Sequence, residues 1–88
     1  MSTTEYLKIR DAICGLVEEC EKLDNKTDLE TILNLLLHDE NMAMSQGDLL
    51  VHLNALEEQG RLNSDLISIH PGKEKQYFQC YRRVYRLR

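Results

Sequence analysis

The stretch Ser45-Gln46-Gly47-Asp48-Leu49-Leu50-Val51-His52-Leu53-Asn54-Ala55-Leu56-Glu57-Glu58-Gln59-Gly60-Arg61-Leu62 decides the fold of this 88-residue chain. Ser45 stands where a helix N-cap is expected, with Asp48 three residues on, near the positive end of the helix dipole. Met44 and Leu49 are spaced as a hydrophobic staple, and Leu49, Leu50, Leu53 and Leu56 form an apolar stripe. Gly60 is placed to end the helix in a left-handed turn. Beyond it, Asn63-Ser64-Asp65 reads as a turn, Leu66 to Ile69 as a short strand and His70-Pro71-Gly72 as a second turn. Gln76 to Leu87 is aromatic and β-branched enough for a long returning strand. A capped helix followed by a two-stranded ribbon is therefore expected.

Two more helices precede it. Tyr6, Ile9, Ile13, Leu16, Cys20 and Leu23 advance in steps of 3, 4, 3, 4 and 3 over residues 3 to 23, a heptad seam. Ser2 and Glu5 have capping-box spacing, and Gly15 inside the helix leaves room for close approach by another helix. The seam either packs on the rest of the domain or pairs with a second copy of the chain, a homodimer through Tyr6, Ile9, Ile13, Leu16, Cys20 and Leu23. After the polar break Asp24-Asn25-Lys26, Thr27 and Glu30 form another capping box. Leu29, Ile32, Leu33, Leu36 and Leu37 give the buried face of a short second helix, with Leu35 on its flank, and 38 to 44 is a connector.

The whole is one domain, mainly α with a C-terminal β-hairpin: an N-terminal helix to residue 26, a helical core over 27–62 and a hairpin over 63–88. An apolar content of 42% is enough for a packed core. No apolar run approaches the roughly 20 residues that cross a bilayer, and the polar N-terminus has no signal-peptide core, so a cytoplasmic protein is expected. Cys14 and Cys20 fall on different faces of the first helix, and three cysteines without a Cys-x-x-Cys pair suit a reducing compartment.

The net charge of -4 is unevenly spread. From Lys73 onward six bases stand against one acid, +5, while the first 72 residues carry -9. One anion-seeking edge on an acidic body is one reading; a terminal strand with a charged solvent face is the other. No chemistry of catalysis or metal binding emerges. His38, His52 and His70 lie on separate elements, the glycines are scattered, and no ligand spacing recurs. A non-enzymatic protein without a cofactor is expected.

Met44-Ser45-Gln46, His52-Leu53, Leu56-Glu57-Glu58 and Gly60-Arg61-Leu62 together resemble the recognition-helix region of winged-helix regulators of the ArsR and MarR types. The resemblance spans roughly residues 27 to 87. It implies a three-helix, winged-helix-like α+β fold, a recognition helix whose start enters the DNA major groove, and a hairpin wing reaching phosphates. It implies a small DNA-binding transcriptional regulator or accessory factor, and many such regulators dimerise through their first helix. On it, Gln46 and His52 are the base or phosphate contacts of the helix. Lys73, Lys75, Arg82, Arg83, Arg86 and Arg88 are those of the wing, where arginine grips phosphate bidentately. Asp48 departs from that pattern by facing a polyanion with an acid.

The acidic body, Asp48 and the row Tyr77, Tyr81 and Tyr85 support a different function on the same scaffold, an adaptor or inhibitor that binds protein. The tyrosine row also reads as core or dimer interface, or as a stacking ladder for single-stranded bases. The small size fits a phage or plasmid accessory protein under either function.

Overall fold

The computed structural model describes residues 3–68, 72–73 and 81–88. Its elements run α1 (Thr3–Lys22), β1 (Thr27–Asp28), α2 (Leu29–Asp39), α3 (Gln46–Glu58), β2 (Leu62–Ser68) and β3 (Tyr81–Leu87). The class is α+β: three helices against a three-stranded antiparallel sheet of order β1-β3-β2. The Ser2 cap, the His70-Pro71 part of the second turn and the start of the returning strand, with Lys75 and Tyr77, lie outside the described residues.

Each helix stops at a residue in the left-handed region: Asp24 (φ 57), Asn41 (φ 53) and Gly60 (φ 74). At the end of α3 the Gly60 N–H donates to Glu57 O at 3.0 Å and the Arg61 N–H to Leu56 O at 2.9 Å. That pair of bonds satisfies carbonyls the helix leaves free. The same pair recurs after α1, from Asp24 to Glu21 O at 3.0 Å and from Asn25 to Cys20 O at 2.9 Å. Gly60 is legible in the sequence as a left-handed stop and Asp24 as part of a polar break, whereas Asn41 carries no such signal, because asparagine tolerates the left-handed region without demanding it.

The helices place their apolar faces on one core of Ile13, Leu16, Val17, Ile32, Leu36, Leu49, Leu53, Leu56, Leu62 and Tyr85. The expected heptad seam is corrected here. Ile13, Leu16 and Cys20 are buried within the chain itself, Ile9 packs on the core, and Val17 joins them, while Leu23 turns out to 72% exposure and Tyr6 also stays exposed. A straight helix of 3.6 residues per turn drifts away from a 3.5-residue repeat, so the two ends of the seam leave the buried stripe. Ile13, with none of its surface exposed, is unavailable to a second copy. On α2, Leu37 is exposed instead of buried, and His38 belongs to the helix instead of the connector. On α3, Leu50 leaves the stripe and its place is taken by His52.

Thr27 is not the cap of α2. It is almost fully buried in β1 opposite Tyr85, and Asp28 caps the helix, its Oδ1 accepting from the Thr31 N–H at 2.8 Å. Nor do Asn63-Ser64-Asp65 form a turn: they are the first half of β2, paired residue by residue with β3 from Leu62↔Leu87 to Ser68↔Tyr81. Arg83 donates to Ser64 Oγ and Arg86 to Asp65 Oδ2, each at 2.7 Å, so the polar cluster is satisfied across the ladder instead of by its own backbone. Of β3, Tyr85 and Leu87 point into the helices, and α1 holds the end of the strand through Glu21, whose Oε1 accepts from the Leu87 N–H at 2.9 Å.

Candidate interaction face

The outward side of α3 begins at its cap. Ser45 Oγ accepts from the Asp48 N–H at 3.1 Å, which fixes the first turn and exposes Gln46, Gly47 and Asp48. Further along, Leu50, Val51 at 63% exposure, Asn54 and Glu58 continue the face. His52 is not on it. Only 4% exposed, it faces α1, where the Tyr6 ring meets it edge-on with centroids 5.3 Å apart and the Arg10 Nε–H donates to its Nδ1 at 3.3 Å. The Arg10 guanidinium also lies 5.4 Å from the centre of the Tyr6 ring. Burial and then the charge of Arg10 lower the pKa of the imidazole, against a smaller opposing pull from Asp48. The expected base contact at His52 is therefore corrected to a packing role. Its spacing from Leu49, Leu53 and Leu56 (three, one and four residues) was the signal, since it completes a helical stripe.

The arginines of β3 are largely engaged within the fold. Arg82 Nη1 lies 3.1 Å from Asp28 Oδ2, Arg86 is bonded to Asp65, and Arg83 to Ser64. Arg61, at the end of α3, pairs with Asp11 at 2.8 Å. Arg88 lies over Gly60, and Lys73 is exposed. The paired Asp28 would be raised by burial, but hydrogen bonds from Thr31 and the charge of Arg82 outweigh that and hold its pKa below the ordinary value. A shallow depression between the start of α2, Leu50 and β3 thus has both signs on its walls, Asp28 and Glu30 facing Arg82 and Arg83.

The tyrosine row is divided. Tyr81 is 59% exposed, whereas Tyr85 is buried in the core at 4%, its hydroxyl pKa pushed up by burial and by nearby Glu57. Tyr85 is consequently no part of a binding ladder. Alternation along β3 accounts for Tyr85 facing the helices with Leu87, while Tyr81, four residues earlier, stays exposed.

One feature of the sequence gains weight only once α2 and α3 are placed side by side. From Thr27 to Gly60 there are seven acids and no lysine or arginine. Neither α2 nor α3 carries a lysine or arginine. Among the described residues no three His, Cys, Asp or Glu side chains converge as metal ligands, and no helix is long and apolar enough to cross a membrane. Comparison with protein-family models, characterised proteins and solved structures finds no match to this chain.

Proposed function

We propose that the chain is a non-catalytic binding module of winged-helix type, and that its α3 face engages a basic surface on another protein. The order of helix, short strand, two helices and hairpin fits the winged-helix plan that the Ser45–Leu62 pattern resembles. The observation that carries the choice of partner is the seven-acid, cation-free run from Thr27 to Gly60. Duplex affinity comes mostly from lysine and arginine replacing counterions on phosphate, and α2 and α3 have none to offer. Exposed Leu50 and Val51 share the outer side of α3 with Asp48 and Glu58, so the helix itself offers an apolar patch with acids and no base, suited to a basic partner, while Arg10, Arg82 and Arg83 border it from α1 and β3.

The second reading is a DNA-binding regulator gripping phosphate through its wing. Exposed Lys73 and the +5 charge of the last sixteen residues favour it. One experiment separates the two: affinity capture from a native extract beside anisotropy with a labelled random duplex over a range of salt. The first reading expects a stoichiometric basic protein that is retained by the wild type and by Glu18→Lys, a change remote from the face, but lost from Asp48→Lys and Val51→Lys. Tight duplex binding that weakens steeply with salt, flattens when Arg82, Arg83 and Arg86 are all replaced by Ala, and comes with no captured protein would overturn it.

A further inference from the structure

We infer that the depression between the start of α2, Leu50 of α3 and β3 binds a small dipolar ion, a free aliphatic α-amino acid. Its volume is about 320 Å³, at the small end of ligand sites, and Leu29 and the half-exposed Leu50 are its apolar walls. Tyr85 contributes a polar group that the fold leaves unused. The residue is only 4% exposed and its ring packs in the core, yet its hydroxyl makes no hydrogen bond among the described residues. The sheet register brings a cation beside it. Ser64 stands opposite Tyr85 on the same side of the sheet, and Arg83 Nη1 donates to Ser64 Oγ at 2.7 Å. The guanidinium is thereby held next to the Tyr85 side chain, where its charge acts on the hydroxyl, and its other N–H groups have no carboxylate among the described residues.

The charges on the walls select the ligand. Arg82 and Asp28 answer each other, with Nη1 3.1 Å from Oδ2. Arg83 and Glu30 do not. Arg83 has only a neutral hydroxyl for a partner, and exposed Glu30, in the first turn of α2, has no ion pair among the described residues. A free base and a free acid in one depression fit a ligand that carries a carboxylate and an ammonium. A simple anion would lose to Glu30 what it gains from Arg83, and a simple cation the reverse. A neutral apolar molecule would leave the Tyr85 hydroxyl without an acceptor. In an α-amino acid the carboxylate accepts from Arg83 and from the Tyr85 hydroxyl, the ammonium donates to Glu30, and an aliphatic side chain lies on Leu29 and Leu50. The site shares only Leu50 with the α3 face, and its test needs no protein partner, so the two readings stand or fall independently.

The test is a nuclear magnetic resonance titration of the full, isotope-labelled chain with leucine, read at the backbone amides. Saturable shifts centred on Leu29, Glu30, Leu50, Arg83 and Tyr85 are expected, with a dissociation constant of about a millimolar, because so small a ligand at an open site gathers few contacts. Arg83→Gln and Glu30→Gln should each weaken binding about tenfold, as the loss of one charge-assisted bond does, and Tyr85→Phe, which keeps the buried ring, should weaken it less. Glu18→Gln, on the outer side of α1, should not weaken it. Circular dichroism spectra should be unchanged in all four. Isocaproate, which is leucine without its ammonium, and isopentylamine, which is leucine without its carboxylate, should each bind much more weakly. Absence of saturable shifts up to the solubility of leucine overturns the inference. So does a carboxylate or an amine that binds as well as leucine, or leucine binding that Arg83→Gln and Glu30→Gln leave intact.

Discussion

The Arg10 Nε–H on α1 donates to Nδ1 of His52 on α3 at 3.3 Å, so the imidazole is held as an acceptor, in its neutral form. Protonation would put a second cation against the guanidinium and remove the lone pair that receives its bond. The unfolded chain has no such restriction, and its histidine titrates at the ordinary 6.5. Below that value the unfolded state binds a proton the folded state refuses, so stability falls as pH drops from 6.5 toward the depressed folded pKa, and is unaffected by this group above 6.5. Denaturation midpoints followed by circular dichroism across that window should decline with acid in the wild type. In His52→Leu this contribution should vanish.

Asp28 joins two tasks in one carboxylate, capping α2 through Oδ1 and holding Arg82 through Oδ2. Asp28→Ala removes both and should cost about 1–2 kcal/mol, the usual range for a lost cap with little added by a half-exposed ion pair. Asp28→Asn keeps an oxygen for the Thr31 N–H and should recover most of that. Because the folded pKa lies below 3.8, the wild-type carboxylate stabilises the fold above 3.8 and loses that contribution as pH falls toward the folded value. The acid limb of a stability profile should therefore be shallower in Asp28→Asn.

Gly60 combines a φ of 74° with the Arg88 Nη1 3.1 Å from where a Cβ would stand. Gly60→Ala meets both the left-handed backbone and that guanidinium. The arginine end can swing aside, but the backbone cannot, and a loss of about 1–2 kcal/mol is expected from the conformation alone. Thermal denaturation of Gly60→Ala beside Gly15→Ala provides the contrast. A Cβ at Gly15 meets nothing within 4 Å, so alanine there should stabilise the helix, by about 1 kcal/mol.

Ile13 distinguishes the core of one chain from an interface between two. It is fully buried among α1, α2 and α3 residues, so Ile13→Ala should cost about 2–5 kcal/mol, a large share of the total stability of a small domain. That loss should be the same at every protein concentration. If Ile13 served mainly to hold a second copy, the loss would grow on dilution.

What could be read in the sequence follows from how local its cause is. The Ser45 cap, Asp48 and the Gly60 stop were legible because each depends on backbone groups within a few residues. β1 was not: two residues make no pattern, and Thr27 becomes a strand only because Tyr85 lies opposite it. The same holds for Asn63-Ser64-Asp65, whose turn-forming chemistry is overridden by Arg83 and Arg86 on the neighbouring strand. At the candidate face, Gln46 and Asp48 were placed correctly on the solvent side, while His52 was misplaced despite its helical spacing. The count of bases near the C-terminus suggested a free cationic edge. Which acids reach those arginines depends on Asp28 and Asp65 being brought beside β3, a long-range fact that composition does not contain.

The order β1-β3-β2 also has a consequence in time. Among the described residues β1 and β2 have no ladder with each other; each is paired with β3, which follows both of them in the chain and leaves the ribosome after them. Thr27 finds its partner in Tyr85, 58 positions later. During synthesis, then, three helices can form and begin to collect, but Leu62 and the inner side of β2 wait uncovered until residues 81–87 emerge. That interval is a period of exposure to stray pairing, and it ends only when β3 slides between two strands that are already there.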